Sequence, residues 1–297
     1  MQLHPDRMIR TVLATALLLA ACGSPAPAPT PVPPPDTTTA PRPFTAADSL
    51  SAPDGSALPD GELGRSIRRG HAIMSATRDS LPEHVGNALR CTSCHLDDGR
   101  RPNAIPFTGV YARFPQYRSR SGSVSRIEDR INDCFQRSMV GKALKWDDPA
   151  MRDMVAYFAF VSRGIKVGDK VPGQGLPLGE ATSGDTVLGA TIYAAQCARC
   201  HGANGEGTPI APPTWGPASF GIGAGMARVR SAAAFIKHNM PYDRATTLTD
   251  VEALNVAAYV VSRSRPDFVS KERDWPNGDP PPDVAYPTTA GRKSGKP

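Results

Sequence analysis

Two five-residue segments constrain this chain more than anything else in it: Cys91-Thr92-Ser93-Cys94-His95 and Cys197-Ala198-Arg199-Cys200-His201. C-x-x-C-H is the pattern of covalent c-type haem attachment. Two thiols at that spacing reach the two vinyl groups of the macrocycle, and the adjacent histidine lies under the iron as proximal ligand. A zinc ribbon needs its cysteine pairs within about 15–20 residues of each other, whereas 102 residues separate Cys94 from Cys197. A thioredoxin-like redox motif leaves the histidine at the same offset in both copies unexplained. Two such pentads predict a chain built around two large apolar cofactors, two covalent haem c groups. That accounts for an aromatic content of only 6% in 297 residues, because bound haem fills core volume and adds its binding energy to folding.

The pentads sit in two repeats of one pattern. Ile67, His71, Ile73 and Met74 recur at helical intervals ahead of the first pentad, and Val187, Leu188, Ile192 and Tyr193 do so ahead of the second. Each repeat closes on an apolar helix. Residues 148–163 carry Met151, Met154, Val155, Phe158 and Val161, and residues 249–263 carry Val251, Leu254, Ala258 and Val261. Asp148 before Pro149, and Thr249 with Glu252 three residues on, supply the N-caps. A first helix, a haem pentad and a closing helix are the order of a class I cytochrome c. The expected fold is therefore all-α, with two such domains in tandem and little sheet. The first spans residues 61–169 and the second 185–270, joined by a Gly/Pro-rich linker at 170–184. Residues 271–297 read as a polar, Pro-rich tail, loose or disordered.

The N-terminus reads as an export signal. Arg7 and Arg10 precede the apolar run 11–21, which is too short to span a bilayer. The segment Leu19-Ala20-Ala21-Cys22 resembles a bacterial lipobox, which makes Cys22 the lipidated first residue of a mature chain at a membrane's periplasmic face. Nine prolines within residues 25–43 then give an extended tether, assigned to 22–60, that cannot bury a core. No other apolar run is long enough for a membrane span, so a polytopic membrane protein is excluded.

The positions opposite the two haem histidines differ. Met240-Pro241 follows His201 by 39 residues, and a thioether opposite histidine raises a haem's potential, as suits an electron exit. Met226 and His238 compete for the same role. In the first repeat there is no Met-Pro, and Cys134 stands 39 residues after His95. A lone buried cysteine is ordinarily a small hydrophobe. Here its offset matches that of Met240, and Arg130 and Arg137 lie at i−4 and i+3 on its helix face within 125–141. Cationic neighbours favour a thiolate, the form that binds iron or attacks sulfur. The chain's formal charge is +6, and residues 99–145 alone hold ten basic side chains against three acidic ones. A run made mostly of arginine beside such a cysteine fits a small oxyanion, which guanidinium grips bidentately. Nucleic acid is not an expected partner, since no recognition motif is present.

The segment Phe114-Pro115-Gln116-Tyr117-Arg118-Ser119-Arg120 and the segment Arg130-Ile131-Asn132-Asp133-Cys134-Phe135-Gln136-Arg137-Ser138-Met139 resemble the first domain of the dihaem thiosulfate dehydrogenases. Pro212-Pro213-Thr214-Trp215-Gly216 and Gly223-Ala224-Gly225-Met226 are similar to their second domain. The resemblance implies His95 and Cys134 as ligands of a catalytic haem, and His201 and Met240 as ligands of an electron-relay haem. It implies the joining of two thiosulfates to tetrathionate, with the electrons leaving to an acceptor such as another c-type cytochrome. Cys134 would carry sulfane sulfur covalently, and Arg118, Arg120, Arg137 and Lys142 are the candidates for holding sulfonate oxygens. Two departures stand out: the family's Asn-Gly after the Ser-Met pair is Val140-Gly141 here, and a lysine found before the distal Met in some members is Asn239. Three other readings remain open at this level: a plain dihaem electron carrier, a subunit like the haem-bearing part of the Sox complex, and the same site working as a tetrathionate reductase.

Overall fold

The computed structural model describes residues 51–293. The export signal, Cys22 and most of the tether lie outside the described residues. The helices are α1 (Gly61–Ser75), α2 (Thr77–Ser80), α3 (Leu96–Gly99), α4 (Ile127–Asp133), α5 (Pro149–Phe160), α6 (Thr186–Gln196), α7 (Ala198–His201), α8 (Val229–Asn239), α9 (Asp250–Val261) and α10 (Thr289–Lys293). A single hairpin, β1 (Gln116–Arg118) with β2 (Ser123–Ser125), pairs antiparallel with Arg118 opposite Ser123. The described part is thus helical with little sheet, as the two repeats predict.

Each repeat forms a lobe in which its first helix crosses its last. In the first lobe α1 lies on α5, and Ile67, Met74, Met151, Met154 and Phe158 are buried between them. In the second, α6 and α8 both pack on α9. A glycine sits at each crossing. Any Cβ on Gly70 would strike the Asp153 carbonyl, and any on Gly189 the Asn255 carbonyl, so both helix pairs need backbone contact at the crossing point. The expected caps form: Asp148 accepts from the Ala150 amide at 2.8 Å, and Thr249 with Glu252 makes a capping box.

In the second lobe the buried stripe differs from the expected one. Tyr193 and Ala258 are buried as expected, but Val187, Leu188 and Val251 are exposed, and Ala253, Val256, Ala257 and Val260 are buried in addition. Helices α6 and α9 are apolar nearly all round, so periodicity does not select a face. The tight approach of Gly189 to Asn255 does.

Both ends of the folded body extend past their expected limits. Ala52 belongs to the first lobe's core, Leu58 packs against it and Ser51 bridges to Ala57, so the end of the segment assigned to the tether is attached to the folded body. The linker is irregular but held down, with the Asn103 amide donating to the Gly173 carbonyl at 2.7 Å and Gln174 to the Thr108 carbonyl at 3.0 Å. The tail is no loose strap over its described length. Asp274, Trp275, Asp283, Tyr286 and Thr288 are all buried. Two buried carboxylates explain the difference, since each binds arginine or backbone N–H groups of a lobe. The lobes also share structure directly. Phe220, Ala224 and Ala227 of the second repeat lie in the first lobe's core, and Asn239 donates to the Asn103 carbonyl at 2.8 Å.

Candidate functional site

Helix α4 does not run through Cys134. It ends at Asp133, and Cys134–Ser138 form one wider, π-helical turn. Such a turn swings its side chains off the regular helix rows and is frequent at functional sites. Asn132 fixes it from below by exchanging two 2.9 Å hydrogen bonds with the backbone of Leu144. Phe135, next to the cysteine, is fully buried. The Cys134 side chain therefore points from a rigid base.

It points into a cavity of about 570 Å³ whose lining includes Cys94, His95, Arg118, Arg130, Cys134 and Arg137. The two positions matched by their 39-residue offset, His95 and Cys134, thus face the same space. Arg130 Nη1 donates to Cys134 Sγ at 2.9 Å. Its proximity to Cys134 is the foremost reason that this guanidinium's pKa is raised above its ordinary value. His95 Nδ1 lies 2.6 Å from the Ile105 carbonyl oxygen, a contact that places the proton on Nδ1 and leaves Nε2 as the free donor atom. Burial pushes His95 down to about 4, which favours the neutral, ligating imidazole.

The cations around Cys134 are not equivalent. Hairpin β1–β2 carries Arg118 and its turn carries Arg120. Arg118 faces the cavity with no carboxylate bound to it, and burial, followed by neighbouring Arg130, lowers its pKa. Arg120 donates to the Gly223 carbonyl at 2.7 Å and stacks on Trp275, 4.7 Å from the ring centre. Arg137 has all three nitrogens engaged, Nε on Asp133 at 3.0 Å and both Nη atoms on Asp274 at 2.6 and 2.8 Å. Burial opposes its charge, yet those two carboxylates raise its pKa. Lys142 is exposed and outside the lining, its backbone tied to His84. Of the four proposed anion-holding cations, Arg118 alone lines the cavity without an ion pair to a carboxylate. Arg130 takes a place that sequence reasoning assigned only to tuning the thiol, although its i−4 spacing was the signal.

In the second lobe, His201 Nδ1 lies 2.7 Å from the Pro212 carbonyl oxygen, repeating the arrangement at His95. Cys197 packs among Tyr193, Val256, Ile236 and Trp215. Met240 caps the C-terminus of α8 and packs on the cluster of Leu96, Ala104 and Phe235. Met226, its competitor, packs on the same cluster and also lines the Cys134 cavity. Asn239 is fully buried and clamps the lobes, so the position that carries lysine in some relatives has a structural duty here.

The residues fit haem. All five described cysteines are free thiols, and among the described residues no cluster of three or more His, Cys, Asp or Glu suits a bare metal ion. Arg100 Nη2 and both Nε and Nη1 of Arg265 are buried with no acceptor. Burial alone pushes Arg265 down to about 10. Orphaned guanidinium N–H groups of this kind are what the propionate carboxylates of a haem satisfy.

Comparison with known proteins matches residues 83–167 to the family described as SoxA/TsdA, cytochrome c domain. Residues 184–260 match the family described as cytochrome C oxidase, cbb3-type, subunit III. The chain is 47% identical over 231 residues to the thiosulfate dehydrogenase of Allochromatium vinosum, covering 74% of this chain and 86% of that one. It is 40% identical over 243 residues to the thiosulfate dehydrogenase of Psychrobacter arcticus, covering 80% and 74%. Among solved structures, the thiosulfate dehydrogenase TsdBA of Marichromatium purpuratum is similar with a TM-score of 0.68 and 37% identity. That match covers 74% of this chain and 50% of the solved one.

Proposed function

The chain belongs to the thiosulfate dehydrogenases, c-type cytochromes with two covalently bound haem c groups, and on that premise we propose that it joins two thiosulfates to tetrathionate at Cys134. The observation that carries this reading is the 2.9 Å contact of Arg130 with Cys134 inside the cavity that His95 also lines. A cysteine serving only as core filler has no use for a guanidinium on its sulfur.

In this reading Cys91, Cys94, His95 and Cys134 would hold one haem, and Cys197, Cys200, His201 and Met240 the other. When bound, each haem takes up one electron, so the pair stores the two that one turnover releases. Arg118 and Arg130 place the sulfonate oxygens of the first thiosulfate so that its sulfane sulfur meets Cys134 Sγ. A sulfur–sulfur bond forms there as two electrons depart. The second thiosulfate attacks the bound sulfane sulfur, displaces the Cys134 thiolate and leaves as tetrathionate, as in thiol–disulfide exchange. Leu96, next to His95, and Met240 share one apolar cluster, which supports a short electron path between the centres. The acceptor is another redox protein such as a c-type cytochrome, met at the membrane face where lipid on Cys22 anchors the chain.

Cys134→Ala tests the reading. The variant keeps both haems, because attachment rests on the other four cysteines, and loses nearly all thiosulfate-dependent ferricyanide reduction. Full activity in the variant would leave a plain electron carrier as the function.

A further inference from the structure

We infer that residues 271–291 form a working wall of the Cys134 cavity and that Asp274 is its positioning residue; this deepens the reading above and rests on it. Trp275, Asp279 and Pro281 line the cavity together with His95 and Cys134. Asp274 lies behind them, 3% exposed. Its carboxylate receives both Nη atoms of Arg137, accepts the Tyr286 hydroxyl at 2.5 Å and faces Arg120 Nε at 3.9 Å. Arg137 belongs to the π-helical turn that carries Cys134, and Arg120 to the hairpin that carries Arg118. One carboxylate thereby fixes the two pieces of chain that bear the sulfur and the free cation. The Trp275 amide adds a 2.8 Å hydrogen bond to the Arg120 carbonyl. Further along, Asp283 accepts from the Arg230 amide at 2.9 Å, capping α8, and faces Arg228, which also lines the cavity.

The consequence is a choice among cations. Without Asp274, Arg137 and Arg120 would compete with Arg118 and Arg130 for an anionic substrate and draw it away from the sulfur. With Asp274 in place, their charge is met and their geometry held. Such a residue governs where the anion sits more than how strongly it is attracted.

Asp274→Asn, Arg137→Gln and the double variant test this in the haem-loaded protein. Asp274→Asn is expected to keep two haems, lower kcat by roughly ten-fold and lower KM, since a misplaced anion is held well but reacts poorly. In the Arg137→Gln background the same substitution changes KM by less than it does in the wild-type background, because only Arg120 is left for it to release. Electron paramagnetic resonance of oxidised Asp274→Asn shows the thiolate-ligated centre as more than one species. If Asp274→Asn does not fold, Tyr286→Phe carries the test through a milder fall in kcat with the same spectral splitting. Wild-type kcat, KM and a single unshifted signal beside an inactive Cys134→Ala would overturn this inference alone. An active Cys134→Ala would overturn the function on which it rests.

Discussion

Val140 is the residue whose backbone and side chain disagree. Its φ is +54°, in the left-handed region, where a β-branched side chain is out of place. The cost is about 1–2 kcal/mol, and asparagine is among the few residues that avoid much of it. Asparagine is what the resembling family places there. The Val140 carbonyl also abuts Gly86, and its side chain lies near Gly221, so the turn is closed on two sides. Val140→Asn is expected to raise the unfolding free energy by about 1 kcal/mol, measured by denaturant titration of the haem-loaded protein. An unchanged or lower midpoint would show that the side chain's packing outweighs the strain. Much of the site was legible at this scale. Cys134 stood at the offset of Met240, and Arg130 stood one helical turn before it. The engagement of Arg137 was not legible, because its partner Asp274 lies 137 residues away and no local periodicity links them.

Among the elements, the helix crossings carry the fold. Gly70 and Gly189 occupy matching places in the two repeats, each against the backbone of the closing helix. Alanine at either site forces the helices apart, at a cost of roughly 1–3 kcal/mol. Gly70→Ala is expected to lower thermal stability and loosen the first lobe. Gly189→Ala does the same to the second, which differential scanning calorimetry and the absorbance of each haem separate. A wild-type melting temperature in both variants would mean the crossings yield freely. The first-lobe stripe was readable on α1, where polar residues mark the outer face, while on α5 a buried charge, Asp153, faces inward to pair with Arg69. The α6 and α9 stripe was not, because apolar residues surround both helices and tertiary contact decides their rotation. The π-helical turn at Cys134–Ser138 escaped for another reason: no local residue signal marks the wider turn, and the Asn132–Leu144 hydrogen bonds beside it join residues twelve apart.

Over residues 51–293, the protein is two lobes that exchange core residues and are tied by a long C-terminal wrap. Composition misled here. Proline and polar side chains suggested a loose tail, but the buried Asp274, Trp275 and Tyr286 do the work of a helix without forming one. At the other end, the lipobox-like segment before Cys22 predicts a mature chain that begins at Cys22 and carries diacylglycerol. Mass spectrometry of the mature N-terminus checks this, and an unmodified end or cleavage at another residue would refute it.

The wrap also sets an order of assembly. Cys91, Cys94 and Cys134 leave the ribosome well before Asp274, so for most of synthesis the first cavity lacks one side. Until Trp275, Asp279 and Pro281 arrive, the space that His95 and Cys134 share stays open on one side.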